Sequence, residues 1–146
     1  MKRSLKAVTT SLIASGVLLM ALPAAASAAE IQSYPGKAQA AVGYNGACGS
    51  GYTVIDSLRL ESGANVFLTY SASGYNCVVT VAEYPGSPRP MSAWIQRTDD
   101  EASRDSDSAE YTAYAGPVYV YAKGSCVDWG GSYAYGKYQQ YGAHCD

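Results

Sequence analysis

A histidine near the end of the chain is the first residue of this sequence that could do chemistry. His144 is the only histidine, so any Ser-His-Asp or Cys-His mechanism would have to use it. It lies beside Cys145, which we expect to be oxidised, and the sequence has no G-x-S-x-G motif to position a nucleophile. We therefore expect His144 to be a solvent-exposed residue of the terminus and not a general base.

Paired carboxylates are the other catalytic possibility, because glycoside hydrolases place two Asp or Glu residues around the bond they cleave. The candidates are ordinary in number: Asp56, Glu61, Glu83, Glu110 and Asp128. Asp128, next to Trp129, is the one of most interest, and we expect it to make buried structural hydrogen bonds or to lie in a turn. No catalytic set emerges, and we predict that the protein is not an enzyme.

Aromatic residues suggest binding more strongly than catalysis. Trp94, Trp129, Tyr119 and Tyr121 could form a platform on which sugar rings stack. Alternation along a strand puts Tyr119 and Tyr121 on one face and the neighbouring valines on the other, so the tyrosines face water if the valines face the core. The same residues could instead cover an outer face or mediate self-association, where aromatic residues are also enriched.

Metal and cofactor sites are not predicted. The cysteines contain no C-x-x-C pair and are too widely spaced for a zinc site. Residues 98–108 are rich in acidic side chains, but Arg104 stands where an EF-hand calcium loop needs glycine, and no helical pattern flanks the segment. We expect a solvated loop there, with a calcium site of another kind as the alternative.

Four cysteines in an exported chain predict two disulfides. They are Cys48, Cys77, Cys126 and Cys145. Three pairings are possible, and short loop lengths favour Cys48 with Cys77 and Cys126 with Cys145. Each bond would add about 2–4 kcal/mol to the free energy of unfolding.

The N-terminus predicts export. Lys2, Arg3 and Lys6 precede an uncharged, mostly apolar run, and Ala26-Ser27-Ala28 is a small-residue cleavage site, as in a secretory signal peptide spanning residues 1–28. Its removal would leave seven basic and twelve acidic residues, a formal net charge of −5. An acidic surface of this kind does not suit nucleic acid or an anionic membrane.

The mature chain is predicted to be a single all-β domain. Residues 29–43 show neither the helical nor the strand periodicity of apolar residues and are expected to be a flexible leader. Residues 44–146 are expected to form the secreted domain. Six or seven short strands joined by tight turns indicate a small antiparallel sandwich or barrel. The clearest expected hairpins are residues 66–84 and residues 114–133, where Gly116-Pro117 would act as a turn signal before a β-branched run.

Several segments together resemble the spore-associated protein A family of filamentous actinomycetes. They are residues 44–52, 54–57, 67–70, 76–81, 114–120 and 124–131, so that the resemblance spans most of the mature domain. It implies a small exported protein associated with the spore or cell surface, and no site residues carry over. The segments 84–90 and 133–141 have no counterpart in the resemblance.

The sequence therefore predicts a secreted, non-enzymatic protein that acts at the cell or spore surface through contacts with other macromolecules. Its partner would be a cell-wall or spore-surface polymer or a second copy of itself, with no membrane contact after signal cleavage and no cofactor. One alternative is a carbohydrate-binding module that uses the aromatic platform. A second is a secreted protease inhibitor with an exposed loop at residues 84–90.

Overall fold

The computed structural model describes residues 42–145, which form eight β-strands. The predicted signal peptide and nearly all of the predicted leader lie outside the described residues. The strands are β1 (Tyr52–Leu60), β2 (Ala64–Ser71), β3 (Tyr75–Ala82), β4 (Arg89–Arg97), β5 (Asp100–Tyr111), β6 (Tyr114–Tyr121), β7 (Val127–Tyr133) and β8 (Gly136–Ala143). Within residues 42–145, no helix is long and apolar enough to cross a membrane.

Two four-stranded antiparallel sheets face each other. Sheet A has the strand order β1-β2-β3-β6, and sheet B has the order β5-β4-β7-β8. The all-β prediction is confirmed, and the fold is the sandwich rather than the barrel. The strand number exceeds the predicted six or seven because two segments without a hydrophobic pattern, β5 and β8, are also strands.

The main core lies between the sheets and follows the alternation of the strands. On β2, Val66 and Leu68 point inward and have no exposed surface, while Phe67 points to the opposite face. On β7, Trp129 fills the centre of the core with no exposed surface. Side chains that alternate in this way bury one face of each sheet and place the other face outside.

A second, smaller apolar cluster lies on the outer face of sheet A. Phe67, Cys77 and Val79 are buried there beneath residues 42–51, with Tyr44 packed edge-on against Phe67. The disulfide between Cys48 and Cys77 fastens this covering segment to β3. The second disulfide joins Cys126 to Cys145, so both favoured pairings are confirmed.

The acidic segment is a strand and not the predicted solvated loop. Residues 100–111 pair with β4 as the edge of sheet B. Acidic residues are poor strand formers, but charged side chains are common on edge strands, where they discourage pairing with other chains. Asp105 and Asp107 also accept hydrogen bonds from backbone amides of β6 in the other sheet, at 2.8 and 2.7 Å.

The predicted hairpin at residues 114–133 is wrong. β6 pairs with β3 in sheet A, whereas β7 pairs with β4 and β8 in sheet B. The connection 122–126 crosses between the sheets and bonds to both, through Ala122 to Gly74 and Cys126 to Thr98. Gly116-Pro117 is no turn either, because it lies within β6 where the register with β3 shifts. The predicted hairpin of β2 and β3 is confirmed.

Candidate functional site

The four aromatic residues predicted to form one platform lie in three different places. Trp129 is in the core between the sheets and has no exposed surface. Trp94 is on the outer face of sheet B, where the Arg104 guanidinium covers its ring at 4.0 Å and Tyr141 packs beside it, so that only 8% of Trp94 is exposed. Tyr119 and Tyr121 lie on the outer face of sheet A. A single platform made of all four residues is therefore excluded by the fold.

Tyr119 and Tyr121 belong instead to a strip of tyrosines on sheet A. The strip consists of Tyr52, Tyr75, Tyr119 and Tyr121, and we call it the tyrosine strip. Tyr75 lies directly opposite Tyr121 with ring centroids 5.3 Å apart, and Tyr52 meets Tyr119 at 5.7 Å. Both contacts are edge-to-face, a favourable arrangement for aromatic rings.

The position of the strip follows from the local sequence. Val118 and Val120 are buried in the core, which turns Tyr119 and Tyr121 to the outside as alternation predicts. Cys77 lies directly opposite Tyr119 in the neighbouring strand and is held by its disulfide. The strip therefore stands on a cross-linked part of the sheet.

Exposure varies along the tyrosine strip. Tyr75 and Tyr121 are 42% and 51% exposed, whereas Tyr52 and Tyr119 are partly buried. The Tyr119 hydroxyl donates to the backbone oxygen of Cys48 at 3.3 Å. Burial, followed by the nearby phenols of Tyr52 and Tyr44, raises the pKa of Tyr119 above its ordinary value. Two rings are thus fixed in place, and two present their edges and faces to solvent.

Asp128 has the buried structural role expected of it. Its carboxylate is on the outer face of sheet B, where it accepts hydrogen bonds from Gln96 Nε2 at 3.2 Å, Thr98 Oγ1 at 2.6 Å and the Gly142 amide at 2.8 Å. Arg104 in turn donates to Gln96 Oε1 at 3.0 Å. The carboxylate ties the ends of β4 and β8 to β7.

His144 is not the exposed terminal residue that was predicted. Its Nε2 lies 3.1 Å from Asp56 Oδ2, and the two side chains are only 25% and 10% exposed. The pair links β1 to the segment after β8. A histidine and a carboxylate also need a nucleophile for covalent catalysis. Cys145 is in a disulfide, and within residues 42–145 the only side-chain partner of His144 is Asp56.

The remaining carboxylates show no catalytic or metal-binding arrangement. Glu83 is paired with Arg59, with Nε 2.6 Å from Oε1 and Nη2 3.1 Å from Oε2. Arg97 and Asp99 form another bidentate pair. In the part of the chain that the structure describes, no three His, Cys, Asp or Glu side chains gather closely enough to hold a metal ion.

Sequence reasoning missed two members of the tyrosine strip and the Asp56–His144 pair. Tyr75 faces Tyr121 only because β3 pairs with β6, and these strands are separated in the chain by two strands of the other sheet. Tyr52 reaches Tyr119 over the same sheet. Alternation along a strand predicts which face of the sheet each residue occupies. The order of the strands brings these residues together, and it cannot be read from the sequence of any single strand.

Comparison with known proteins finds a relative of this chain. It is similar to Spore-associated protein A of Streptomyces coelicolor, with 40% identity over 146 aligned residues that cover 97% of this chain and 89% of the relative. No family model matches the chain. No solved structure matches it either.

Proposed function

Because this chain belongs to the spore-associated protein A family, we propose that it is a secreted, non-enzymatic protein of the spore or cell surface. In this role it acts through contact with a macromolecule, either a polymer of the cell wall or spore surface or a second copy of itself. The two disulfides support export, since such bonds persist in oxidising compartments outside the cytosol.

The tyrosine strip is the observation that carries this proposal. Tyrosine supplies a large, rigid contact area together with a hydroxyl that can bond to a partner, and it is enriched where macromolecules meet. Tyr75 and Tyr121 are about half exposed although they lie on a rigid sheet beside a disulfide-fastened segment. An exposed aromatic patch that is already ordered loses little side-chain entropy when a partner binds.

The orientation of the rings favours general macromolecular contact over a sugar-stacking platform. The ring planes of Tyr75 and Tyr121 meet at 69°, and those of Tyr52 and Tyr119 meet at 60°. A flat platform for successive sugar units needs rings that lie side by side with their faces outward. Tilted rings form an uneven surface, which can be complementary in shape to an uneven surface of another macromolecule.

A sedimentation assay tests the proposal. The disulfide-bonded protein is mixed with spores and with vegetative cell-wall material of the producing organism, and the bound fraction is measured against protein concentration. We expect saturable binding that Tyr75→Ser together with Tyr121→Ser weakens at least about tenfold, because buried aromatic contacts at interfaces contribute about 1–2 kcal/mol each.

The matched control removes two tyrosines that are more exposed but lie off the strip. Tyr84 and Tyr135 are 83% and 85% exposed, and the double change Tyr84→Ser and Tyr135→Ser should leave binding intact. Equal loss in both double variants would count against the strip. Binding that a soluble oligosaccharide abolishes would instead favour the carbohydrate-binding alternative.

A further inference from the structure

A cavity of about 250 Å³ lies where β2 ends and β3 begins. Six residues line it: Ile55, Tyr70, Asn76, Ala122, Lys123 and His144. They come from β1, β2, β3, the crossing segment after β6 and the segment after β8. The Cys126–Cys145 disulfide holds the last two segments together.

Asn76 is the first sign that the cavity is a binding site. The residue is only 3% exposed, and its backbone is paired with Tyr70 and Val120 in sheet A. Its side-chain amide makes no hydrogen bond to any of residues 42–145 and borders the cavity. Its polar atoms are not among those that are fully enclosed without a partner, a group that within residues 42–145 includes Asn65 Oδ1, so they keep access to the space of the cavity. The amide of Asn76 is thus available to a molecule in the cavity.

Among residues 42–145, one cation at the cavity, the exposed Lys123, has no ionic partner. The Asp56 carboxylate is engaged by His144 at Oδ2 and by the Ser57 amide at Oδ1, at 3.1 and 2.8 Å. Lys123 forms no ion pair with any of residues 42–145. The group that best complements the cavity therefore carries a negative charge.

The rest of the lining is apolar. Ile55, the ring of Tyr70 and Ala122 offer no hydrogen-bond partner apart from the tyrosine hydroxyl. A neutral sugar carries hydroxyls on every side, and some would lie against these walls unpaired, which is unfavourable. A small molecule with one charged end, one amide and one apolar group fits the distribution better.

We propose that this cavity binds a carboxylate that lies one residue from an amide, the chemistry shared by the free C-terminal end of a peptide and a free N-acylated amino acid. The Lys123 ammonium pairs with the carboxylate, and the Asn76 amide bonds to the adjoining amide group. Ile55, Tyr70 and Ala122 hold a small apolar side chain. None of the six lining residues belongs to the tyrosine strip, although Lys123 and Tyr121 both border Gly74. The inference is therefore tested by measurements separate from those of the strip.

Titration of the ¹⁵N-labelled, disulfide-bonded protein with matched probes provides the test. N-acetylalanine should shift the Asn76 side-chain signals saturably, whereas N-acetylalaninamide, which lacks only the charge, should bind at least about tenfold more weakly. N-acetylalanylalanine distinguishes the two sources. Tighter binding than N-acetylalanine assigns the site to a peptide end, and equal or weaker binding assigns it to a free acylated amino acid.

Two variants assign the roles. Lys123→Ala should weaken the binding of N-acetylalanine about tenfold. Lys137→Ala, which changes an exposed lysine of β8 far from the cavity lining, should leave this affinity unchanged. Asn76→Leu should abolish binding without lowering the melting temperature, because the amide has no hydrogen bond to lose within residues 42–145. A residue with only a structural role would lower the melting temperature instead.

Three results would overturn the proposal. One is equal affinity for the charged and the amidated probe. Another is unchanged N-acetylalanine affinity in Lys123→Ala, which decides the matter even if Asn76→Leu does not fold. The third is binding of N-acetylglucosamine at the same signals with no response to N-acetylalanine.

Discussion

Asp107 of β5 accepts a hydrogen bond of 2.7 Å from the backbone amide of Gly116 in β6, so that a side chain of one sheet bonds to the backbone of the other. The Gly116 amide needs this partner because the register between β3 and β6 shifts there. The other oxygen of Asp107 accepts from the Tyr111 hydroxyl. Together with Asp105, which accepts from the Tyr119 amide at 2.8 Å, Asp107 joins β5 of one sheet to β6 of the other.

Replacing this carboxylate should destabilise the fold. Asp107→Ala leaves the Gly116 amide and the Tyr111 hydroxyl without their partner, and we expect the free energy of unfolding to fall by about 2 kcal/mol. Urea unfolding followed by tryptophan fluorescence measures the change.

Asp99→Ala is the control for this experiment. Asp99 pairs with Arg97 at the surface, with its side chain 63% exposed, and surface ion pairs contribute at most about 1 kcal/mol. If Asp107→Ala and Asp99→Ala shift the urea midpoint equally, the bond between the sheets has no special weight.

The acidic strand β5 could not be predicted from local sequence patterns. Residues 100–111 contain five acidic side chains and only one large aromatic residue, Tyr111, so neither composition nor alternation predicts a strand. What makes them a strand is the open edge of β4, which supplies backbone partners along most of the segment. That edge exists only once β4 has been placed in sheet B. By contrast, β2 and β3 are rich in β-branched and aromatic residues and are joined by a short turn, and they were predicted correctly.

The candidate site was predictable only to the level of single strands. Alternation placed Tyr119 and Tyr121 on the face opposite Val118 and Val120, and the structure shows that the valines are the buried side. Nothing local distinguished them from Trp129, which is buried because β7 lies in the middle of sheet B. Short loop lengths favoured the observed disulfide pairings but left all three pairings possible. The order of strands in each sheet required the three-dimensional structure.

The buried carboxylate of Asp128 gives a second test. Asp128→Asn would place an amide nitrogen against Gln96 Nε2 if its oxygen still served Thr98 and Gly142. Gln96 would then have to turn its oxygen towards position 128 and give up its bond to Arg104. We expect a loss of about 1–2 kcal/mol in unfolding free energy.

The same variant should change the surroundings of Trp94, because Arg104 covers its ring. Tryptophan fluorescence of the folded state and urea unfolding measure the two effects on one sample. An unchanged spectrum together with an unchanged midpoint would show that the network around Gln96 is not coupled to Asp128.

The two disulfides should differ in what they protect. They close loops with sequence separations of 29 and 19 residues, so chain entropy alone gives each about 3–4 kcal/mol. Replacing Cys48 and Cys77 by serine should additionally loosen residues 42–51 on the outer face of sheet A. The contacts that remain are one hydrogen bond each from Asn65 and Tyr119 to the backbone of the segment and the packing of Tyr44 on Phe67, which are weaker than a covalent bond. Limited proteolysis of the folded variant should cut within this segment.

The variant in which Cys126 and Cys145 are both serine is the matched control. It should lose a similar amount of unfolding free energy but keep residues 42–51 protected from cleavage. Because Tyr119 bonds to the backbone of Cys48, only the first variant should also weaken binding through the tyrosine strip. Cleavage of residues 42–51 at the same rate in both variants would contradict this division.

Stability should decline in alkaline solution as partly buried tyrosines ionise. Burial is the main cause that raises the pKa of Tyr119 and of Tyr138 in the folded protein, whereas a tyrosine in the unfolded chain has a pKa of about 10. The unfolded state therefore loses its phenol protons first as pH rises, and the stability contributed by the neutral phenols is complete below about pH 10 and falls above it. Melting temperatures measured from pH 8 to pH 11 should decrease in the upper part of this range, and less steeply in Tyr119→Phe.

Return to pH 8 must restore the original melting temperature, since disulfide exchange at high pH would otherwise mimic the effect. Identical slopes in Tyr119→Phe and the parent protein would show that ionisation of Tyr119 is not a cause of the decline.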